Sequence, residues 1–204
     1  MPIREILHVS ILRTIYYCLR FKGRIIVFRG TRIWLQRGAN IRIAPGGHLV
    51  LGRQFSGAQC SLKISGGGSL VINGQVSVSR GARLRISENA TLEIGDGTFV
   101  HVDSAITCEE RITIGAQCAI SWNVNILDGN LHELIINEIT WPKTTPVEIG
   151  DKVWIGTGAT IIGATIGDGA VVGADTLVTS AVPAKSLVTG NPAQLAAKDV
   201  SWIF

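Results

Sequence analysis

The chain has 204 residues, 46% of them apolar and 17% charged, which is enough for one sizeable domain with a core and excludes a disordered protein. Glycine is enriched at 24 residues and aromatic residues make up only 6%, a composition that favours many short strands joined by tight corners. The net charge of +4 is uneven, because residues 1–53 hold ten Lys or Arg and one acid. This basic end indicates either an anionic surface nearby or a solvated face.

The cysteines and histidines show no metal-binding pattern. Cys18, Cys60, Cys108 and Cys118 form no CxxC pair, and the four histidines match no zinc spacing. No metal is therefore expected, and nucleic-acid binding has no motif behind it beyond charge. Apolar runs are too short for a spanning helix or a secretory signal, so we expect a cytoplasmic protein.

Residues 1–22 are predicted to form an N-terminal amphipathic helix. Leu7, Ile11, Ile15 and Cys18 fall on one helical stripe. One interpretation is a cap over the end of the following domain. The other is an interfacial helix on the inner face of an anionic membrane, helped by the basic run. The two interpretations are compatible.

Residues 23–190 carry internal repeats. Ile41, Leu62, Leu84 and Ile106 recur at steps of 21, 22 and 22 residues, each within a short alternating strand. After residue 112 the period becomes six, and the aliphatic positions in phase are Ile114, Ile120, Ile126, Ile149, Ile155, Ile161, Ile166, Val172 and Val178. One step, from Ile161 to Ile166, is shortened to five. Such repeats predict short strands stacked turn upon turn, as in a parallel β-helix.

The segment "NILDGNLHEL" breaks this period. His132 stands six residues after Ile126, where an aliphatic residue is expected, and burying a histidine there would be costly without a hydrogen bond. We therefore predict that residues 132–146 leave the β-helix as an excursion and re-enter it at Val147. Loops carried on a rigid scaffold are common sites of chemistry.

The last segment, residues 191–204, is predicted to form a short capping helix and a tail. Asn191 is a suitable N-cap, Pro192 suits the first helical position, and "PAQLAAKDV" would follow as the helix.

Three linked motifs now indicate a family. "VEIGDKVWIGTGATI", "IGDGAVVGADTLVTSAVP" and "VTGNPA" resemble the hexapeptide-repeat acyltransferases, in the branch that O-acetylates sugars of surface polysaccharides and small carbohydrates. The resemblance covers residues 90–197 well and 20–90 loosely. It implies a left-handed parallel β-helix, a homotrimer, acetyl-CoA as donor and a carbohydrate acceptor.

The resemblance also implies roles for single residues. His132 would be the general base that takes the acceptor hydroxyl proton, without an acyl-enzyme, and Asp128 could orient it. The acceptor would contact His101 and Asp103, which share a face if they lie in a strand, although an exposed pair on the wall of the β-helix without such a role is an open alternative. Trp122 and Trp141 would form aromatic walls for the sugar, although core packing is an equal alternative for Trp122. The positions that match CoA contacts are Gly156, Thr157, Ala174, Thr179, Ser180, Asn191 and Pro192.

Two departures weaken the phosphate end of the implied CoA site. Ser180 and Gln194 stand where the family carries basic residues, so Lys185, Lys198 or a neighbouring subunit would have to supply the cations. Two alternatives therefore remain open. The chain could acetylate a small soluble acceptor, or it could be a non-catalytic β-helical scaffold.

Overall fold

A computed structural model describes residues 8–53, 58–129 and 132–203, and within them the chain forms one helix and 24 strands. Helix α1 spans Ile11–Phe21. Apart from a two-stranded hairpin, the strands make three sheets, here called faces 1, 2 and 3, and the chain visits the faces in turn. One circuit of the three faces is called a coil.

Face 1 has nine strands. They are β1 (Arg24–Val27), β4 (His48–Arg53), β7 (Gln75–Ser79), β10 (Phe99–Val100), β13 (Ala119–Ile120), β18 (Trp154–Ile155), β21 (Val171–Val172), β23 (Ser186–Thr189) and β24 (Gln194–Lys198). Neighbouring strands are parallel except for the last pair, β23 and β24.

Face 2 has seven strands and face 3 has six. Face 2 consists of β2 (Arg32–Leu35), β5 (Ser61–Ile64), β8 (Arg83–Ile86), β11 (Ala105–Cys108), β14 (Asn125–Leu127), β19 (Thr160–Ile162) and β22 (Leu177–Val178). Face 3 consists of β3 (Asn40–Ile43), β6 (Ser69–Asn73), β9 (Thr91–Gly95), β12 (Arg111–Ile114), β17 (Val147–Ile149) and β20 (Thr165–Ile166). The hairpin consists of β15 (Leu134–Ile136) and β16 (Ile139–Trp141).

The core is built from the repeated aliphatic positions. On face 2, Leu84, Ile106, Ile126 and Ile161 occupy the same register on successive strands, and each is at most 1% exposed. Full burial of such a side chain stabilises the fold by about 1.5–3 kcal/mol. The periodicity of the sequence therefore predicted the stacking of the coils correctly.

The corner between faces 3 and 1 is held by aspartates. The Oδ1 atom of Asp96 accepts the N–H of Gln75 at 2.6 Å, and Asp151 accepts that of Ala116 at 2.7 Å. Asp168 in turn accepts the N–H of Asp151 at 2.8 Å. These carboxylates satisfy backbone donors of the preceding coil, where the sheets leave them without a partner.

The shortened step between Ile161 and Ile166 leaves the core in register. Gly163 turns the corner with φ +50°, and its N–H donates to the carbonyl of Leu127 at 3.1 Å. Ile161 and Ile166 are both buried, because the corner lost a residue and the strands did not.

Helix α1 covers the first coil, but with a different side from the one predicted. Ile11 and Ile15 are 63% and 51% exposed, whereas Tyr17 is buried. Thr14 Oγ1 accepts the N–H of Val27 at 3.0 Å, and the Tyr17 ring stacks near that of Phe21. Of the described members of the predicted stripe only Cys18 packs inward, where its Sγ accepts the N–H of Ile25 at 3.2 Å, because the helix is apolar on both sides and Tyr17 and Phe21 face the core. Leu7 lies outside the described residues.

The predicted C-terminal helix is wrong. Instead of a capped helix at Asn191 and Pro192, residues Gln194–Lys198 form β24, which runs antiparallel to β23. The last parallel strand of face 1 would otherwise leave its edge unpaired, and an antiparallel return strand satisfies that edge more completely than a short helix. The tail then crosses back, and Trp202 Nε1 donates to the carbonyl of Lys152 at 2.8 Å.

Candidate functional site

A groove of about 560 Å³ lies on face 1 and on the corner between faces 1 and 2. Its floor is apolar, because the outward positions of the later strands are Phe99, Ala119, Trp154, Val171 and Leu187. Its rim consists of corner residues from successive coils, which are His101, Ser121, Trp122, Gly156, Thr157 and Ala174.

The rim residues form one column because the corners stack. Three backbone N–H groups donate to backbone carbonyls of the preceding coil at 2.8–3.2 Å: Asn123 to Val102, Gly158 to Trp122 and Asp175 to Thr157. His101, Trp122, Thr157 and Ala174 therefore follow one another along the same edge. The structure thus brings two predicted acceptor residues and three predicted CoA residues onto one surface.

His101 is held as a hydrogen-bond donor in this column. Its Nδ1 accepts the N–H of Val102 at 2.8 Å, and its ring lies 4.8 Å from that of Trp122 in an edge-on arrangement. Burial lowers the pKa of His101, which keeps the imidazole neutral at pH 7. Since Nδ1 accepts, the proton of the neutral ring is on Nε2, which can donate to a ligand oxygen.

Asp103 does not share a strand face with His101, contrary to the prediction. Residues 101–104 form a corner, and Asp103 adopts the left-handed conformation with φ +61°. Its N–H donates to the carbonyl of Arg80 at 3.4 Å and its side chain lies over Gly81 of the preceding coil. Asp103 therefore belongs to the corner stacking and is absent from the groove lining.

His132 is exposed and lies on the other side of face 2. It follows β14, whose end carries Asp128 and Gly129, whereas the groove flanks the start of that strand. The base of the excursion is closed by a β-bridge between Gly129 and Thr144. The N–H of Thr145 also donates to the backbone carbonyl of Asp128 at 2.7 Å. Within one chain, His132 is not among the residues that line the groove.

Asp128 is buried and its carboxylate is occupied by backbone donors. Oδ1 accepts the N–H of Glu109 at 2.7 Å, and Oδ2 accepts those of Glu110 and Arg111 at 2.9 and 2.6 Å. No hydrogen bond joins it to His132 in the part of the chain that the structure describes. Asp128 thus clamps the corner below the excursion, and this geometry gives no support to its predicted orienting role.

The remaining predicted residues lie away from the groove. Trp141 is 54% exposed in β16, opposite Leu134. Thr179 and Ser180 are exposed after β22, on the corner between faces 2 and 3, and Asn191 and Pro192 connect β23 to β24.

Sequence reasoning missed part of the groove floor. Trp154 lies outward from β18, and its Nε1 donates to Ser121 Oγ at 3.2 Å. Phe99 and Leu187 are also outward-facing floor residues. The available signal was an aromatic residue between the inward positions Val153 and Ile155 in "KVWIG", a place that a polar residue usually takes in a half-exposed strand.

In residues 8–53, 58–129 and 132–203, no group of three or more His, Cys, Asp or Glu side chains is placed to hold a metal ion. In the same ranges no helix has the length and apolar character needed to cross a bilayer.

Comparison with known proteins confirms the resemblance. The chain is 32% identical over 113 residues to the galactoside O-acetyltransferase of Escherichia coli K12, covering 53% of this chain and 55% of that protein. It is 38% identical over 103 residues, or 50% of this chain and 56% of the relative, to an E. coli K12 protein provisionally named as the colanic acid biosynthesis acetyltransferase WcaF. No family model matches the chain. The chain spans about half the length of the curated relatives it matches.

Solved structures support the fold. The polySia-specific acetyltransferase NeuO aligns over 86% of this chain and 85% of its own, with a TM-score of 0.58 and 19% identity. The hexapeptide-repeat acetyltransferase VCA0836 of Vibrio cholerae aligns over 62% of this chain and 72% of its own, with a TM-score of 0.54 and 26% identity. The predicted fold class, a left-handed parallel β-helix with hexapeptide repeats, is therefore confirmed.

Proposed function

We propose that this protein is an acetyl-CoA-dependent O-acetyltransferase that acts on a carbohydrate hydroxyl, in the synthesis of a surface polysaccharide or a lipid-linked oligosaccharide. The groove on face 1 is the observation that carries the proposal. It places the small residues Gly156, Thr157 and Ala174 beside the imidazole of His101, a hydrogen-bond donor, and the aromatic ring of Trp122. The names of the relatives agree with an acetyl donor and a sugar acceptor.

The donor would lie along the column of small residues. A pantetheine arm is long and thin, and Gly156 and Ala174 leave the backbone open to it. The fold itself also favours glycine at position 156, because a Cβ there would lie 2.8 Å from the backbone nitrogen of Ala174. For the phosphates, Lys185 and Lys198 are exposed at the same end of the β-helix and would supply the missing cations.

The proposed chemistry is a direct transfer with His132 as general base. A ring nitrogen of His132 takes the proton of the acceptor hydroxyl as that oxygen attacks the thioester carbonyl carbon. The carbon–sulfur bond then breaks, the acetyl group stays on the sugar oxygen, and the departing CoA sulfur takes the proton back from the imidazolium.

Because His132 and the groove lie apart in one chain, the proposed site needs a second copy. The excursion that carries His132 exposes the large apolar side chains Leu134, Ile135, Ile136, Ile139 and Trp141 by 43–66%. A two-stranded hairpin is barely stable alone in water, and such a patch is typical of an interface. We propose a homotrimer in which the excursion of one copy brings His132, with Trp141 beside the acceptor, to the groove of the next.

Helix α1 is the proposed contact with a membrane surface. Leu12, Tyr16 and Leu19 are 53–83% exposed on the side away from the β-helix, and Arg20 lies next to them. An apolar face flanked by cations fits an anionic bilayer surface.

Vesicles containing phosphatidylglycerol should carry the protein upward in a flotation gradient, and Leu12→Ser/Leu19→Ser should abolish this. Ile203→Ser, at an exposed apolar residue elsewhere, is the control; equal flotation of the helix variant would contradict the contact.

Calorimetric titration with acetyl-CoA tests the proposed donor. The wild type and His132→Ala should bind with similar affinity, and Ala174→Tyr, which fills the exposed rim, should bind at least tenfold more weakly. Binding that is absent from the wild type would overturn the acetyl-CoA assignment and favour a scaffold. Transfer is then followed as free CoA thiol released with a panel of carbohydrate acceptors.

Mixed oligomers test the shared site. His132→Ala and Ala174→Tyr should each be inactive alone. Unfolded and refolded together in equal amounts, they should regain about a quarter of wild-type activity, because that fraction of sites combines an intact histidine with an intact groove. No recovery in verified mixed trimers would place both elements in one chain.

A further inference from the structure

Face 2 carries a cationic surface that the proposed site does not use. Arg32, Lys63, Arg83 and Arg85 are exposed and point outward from β2, β5 and β8, and Trp34 beside them is 50% exposed. The sequence suggested a basic end in residues 1–53, but the structure distributes the basic residues that it describes there over α1, the turns and all three faces. The concentration on face 2 arises only because Lys63, Arg83 and Arg85 come into register with the earlier strands.

The strand register arranges these side chains in two straight rows. One row runs through Trp34, Lys63, Arg85, Thr107 and Leu127. The other runs through Arg32, Ser61, Arg83, Ala105 and Asn125. Each spans five strands, or about 19 Å at the usual spacing of parallel strands.

The charge on this face is not neutralised by the protein. The seven strands of face 2 contain no Asp or Glu. The acids nearest to them in sequence are Glu109 and Asp128, which directly follow β11 and β14 at the corner toward face 3. Across the described residues, Arg32, Lys63, Arg83 and Arg85 form no salt bridge. Face 3 differs, because Arg42 shares its row with Glu93 and Glu148.

The rows lead toward the excursion. A depression of about 660 Å³ lies at Trp34 and Lys63, and another of about 310 Å³ extends from Arg85 to Gly129. Gly129 is the residue at which the base of the excursion closes, three positions before His132. The cations lie on β2, β5 and β8, and the two strands nearer to the excursion, β11 and β14, present the Thr107 hydroxyl and the Asn125 amide instead.

We infer that face 2 is a track for an acidic polysaccharide, a polymer whose sugars bear carboxylates, and that it feeds such a chain toward His132. The inference rests on the proposed function, since it names the class of acceptor. The cations attract the carboxylates, the Trp34 ring offers a flat apolar surface to a sugar, and Thr107 and Asn125 can bond hydroxyls nearer the excursion. A single ring on the face favours a polysaccharide over a nucleic acid, which would use aromatic residues for successive bases.

Binding of end-labelled oligogalacturonate, measured by fluorescence anisotropy at low ionic strength, tests the track. Lys63→Ala/Arg85→Ala should weaken binding about tenfold. The matched control Arg42→Ala/Arg111→Ala removes two exposed cations from face 3 and should leave binding unchanged. All four side chains are exposed, so folding is preserved. Equal losses in both variants would reduce the effect to net charge and overturn the inference.

Two other probes define the ligand class. A malto-oligosaccharide of matched length should bind far more weakly than the acidic oligomer, and equal binding would overturn the role of the cations. Oligodeoxythymidylate should also bind more weakly, and tighter binding would assign the face to nucleic acid instead.

Acetyl transfer measurements distinguish a failure of this inference from a failure of the proposed acetyltransferase function. The face 2 variant should lose activity toward oligogalacturonate and keep its activity toward a monosaccharide glycoside. Equal activity of wild type and variant on both acceptors would overturn the track and leave the acetyltransferase intact. Binding that depends on face 2, without acetyl transfer to any carbohydrate, would overturn the proposed function and leave the track.

Discussion

The stacked coils of the β-helix, here called the body, bury their aliphatic residues, whereas the excursion exposes them. In the body, Ile106, Ile126 and Ile161 stack in register and are at most 1% exposed. In the excursion, Leu134 and Ile139, which are equally apolar, are 56% and 66% exposed. The same residue types thus build the core in one region and cover a surface in the other.

This difference teaches what each region contributes. The body gains its stability within one chain, because each coil buries its aliphatics against the next. The excursion gains little from the chain that carries it, since its base is fixed only by contacts such as Gly129 with Thr144. Its exposed apolar residues are therefore better explained by contact with another molecule than by folding, and the catalytic role proposed for its histidine does not depend on packing in the body.

The largest expected effect is on catalysis, from the excursion alone. His132→Ala should lower kcat by about 10²- to 10⁴-fold, the usual contribution of a general base, with no change in Tm because the side chain is exposed. His48→Ala, at a histidine of β4 in the body, is the matched control and should leave kcat unchanged. Equal activity of the two variants, measured by CoA thiol release, would remove His132 from the mechanism.

The next largest effect is on stability, and here we expect it from the body rather than from the excursion. Ile106→Ala empties a fully buried position and should cost about 2–5 kcal/mol in the free energy of unfolding. Ile135→Ala removes a side chain that is 65% exposed, and should change the stability of a single chain by less than about 0.5 kcal/mol. Urea denaturation at a protein concentration where the chains are dissociated measures both, and sedimentation at higher concentration should show weaker trimerisation for Ile135→Ala only. A stability loss of similar size in both would mean that the excursion packs on its own body.

The sequence predicted the body well because the body is periodic. A repeat read from Leu84, Ile106 and Ile126 fixes which side chains point inward, and it also shows where His132 must leave the coil. These features depend on neighbours along the chain and on one recurring environment, so that the pattern alone determines them.

The features that failed depend on single contacts between distant residues. "PAQLAAKDV" has helix-forming residues, but the open edge of β23 selects a strand. His101 and Asp103 alternate like strand residues, yet the corner stacking fixes them. Asp128 precedes the catalytic candidate in sequence, whereas its hydrogen-bond partners lie 17–19 residues away. No local pattern encodes such choices.

A smaller effect tests the joint between the two regions. Asp128→Asn keeps the shape but replaces one acceptor oxygen by a donor, against three backbone N–H groups. It should lower stability by about 1–3 kcal/mol. If Asp128 acts only as a clamp, kcat at a temperature well below Tm and its pH profile should match the wild type. A shifted pH profile, with stability retained, would instead assign Asp128 to the orientation of His132.

The smallest effect concerns the buried thiols of the body. Burial raises the pKa of Cys60 and Cys108 to about 12 and that of Cys118 to about 11, so at pH 8 almost none of these three thiols is ionised in the folded chain. Native protein should therefore show at most one rapidly reacting thiol with a disulfide reagent, the partly exposed Cys18, and four in denaturant.

The same pKa shifts set the direction of a pH effect on stability. Thiols of the unfolded chain ionise near pH 9, whereas the folded thiols keep their protons to about pH 11–12. The unfolded state thus loses protons first, and the body becomes less stable as pH rises from about 9 toward 12. Cys108 also lies 3.8 Å from Asp128, so its labelling reports on the joint. Labelling of Cys108 faster than of Cys118 would show that the corner beneath the excursion opens before the rest of the body does.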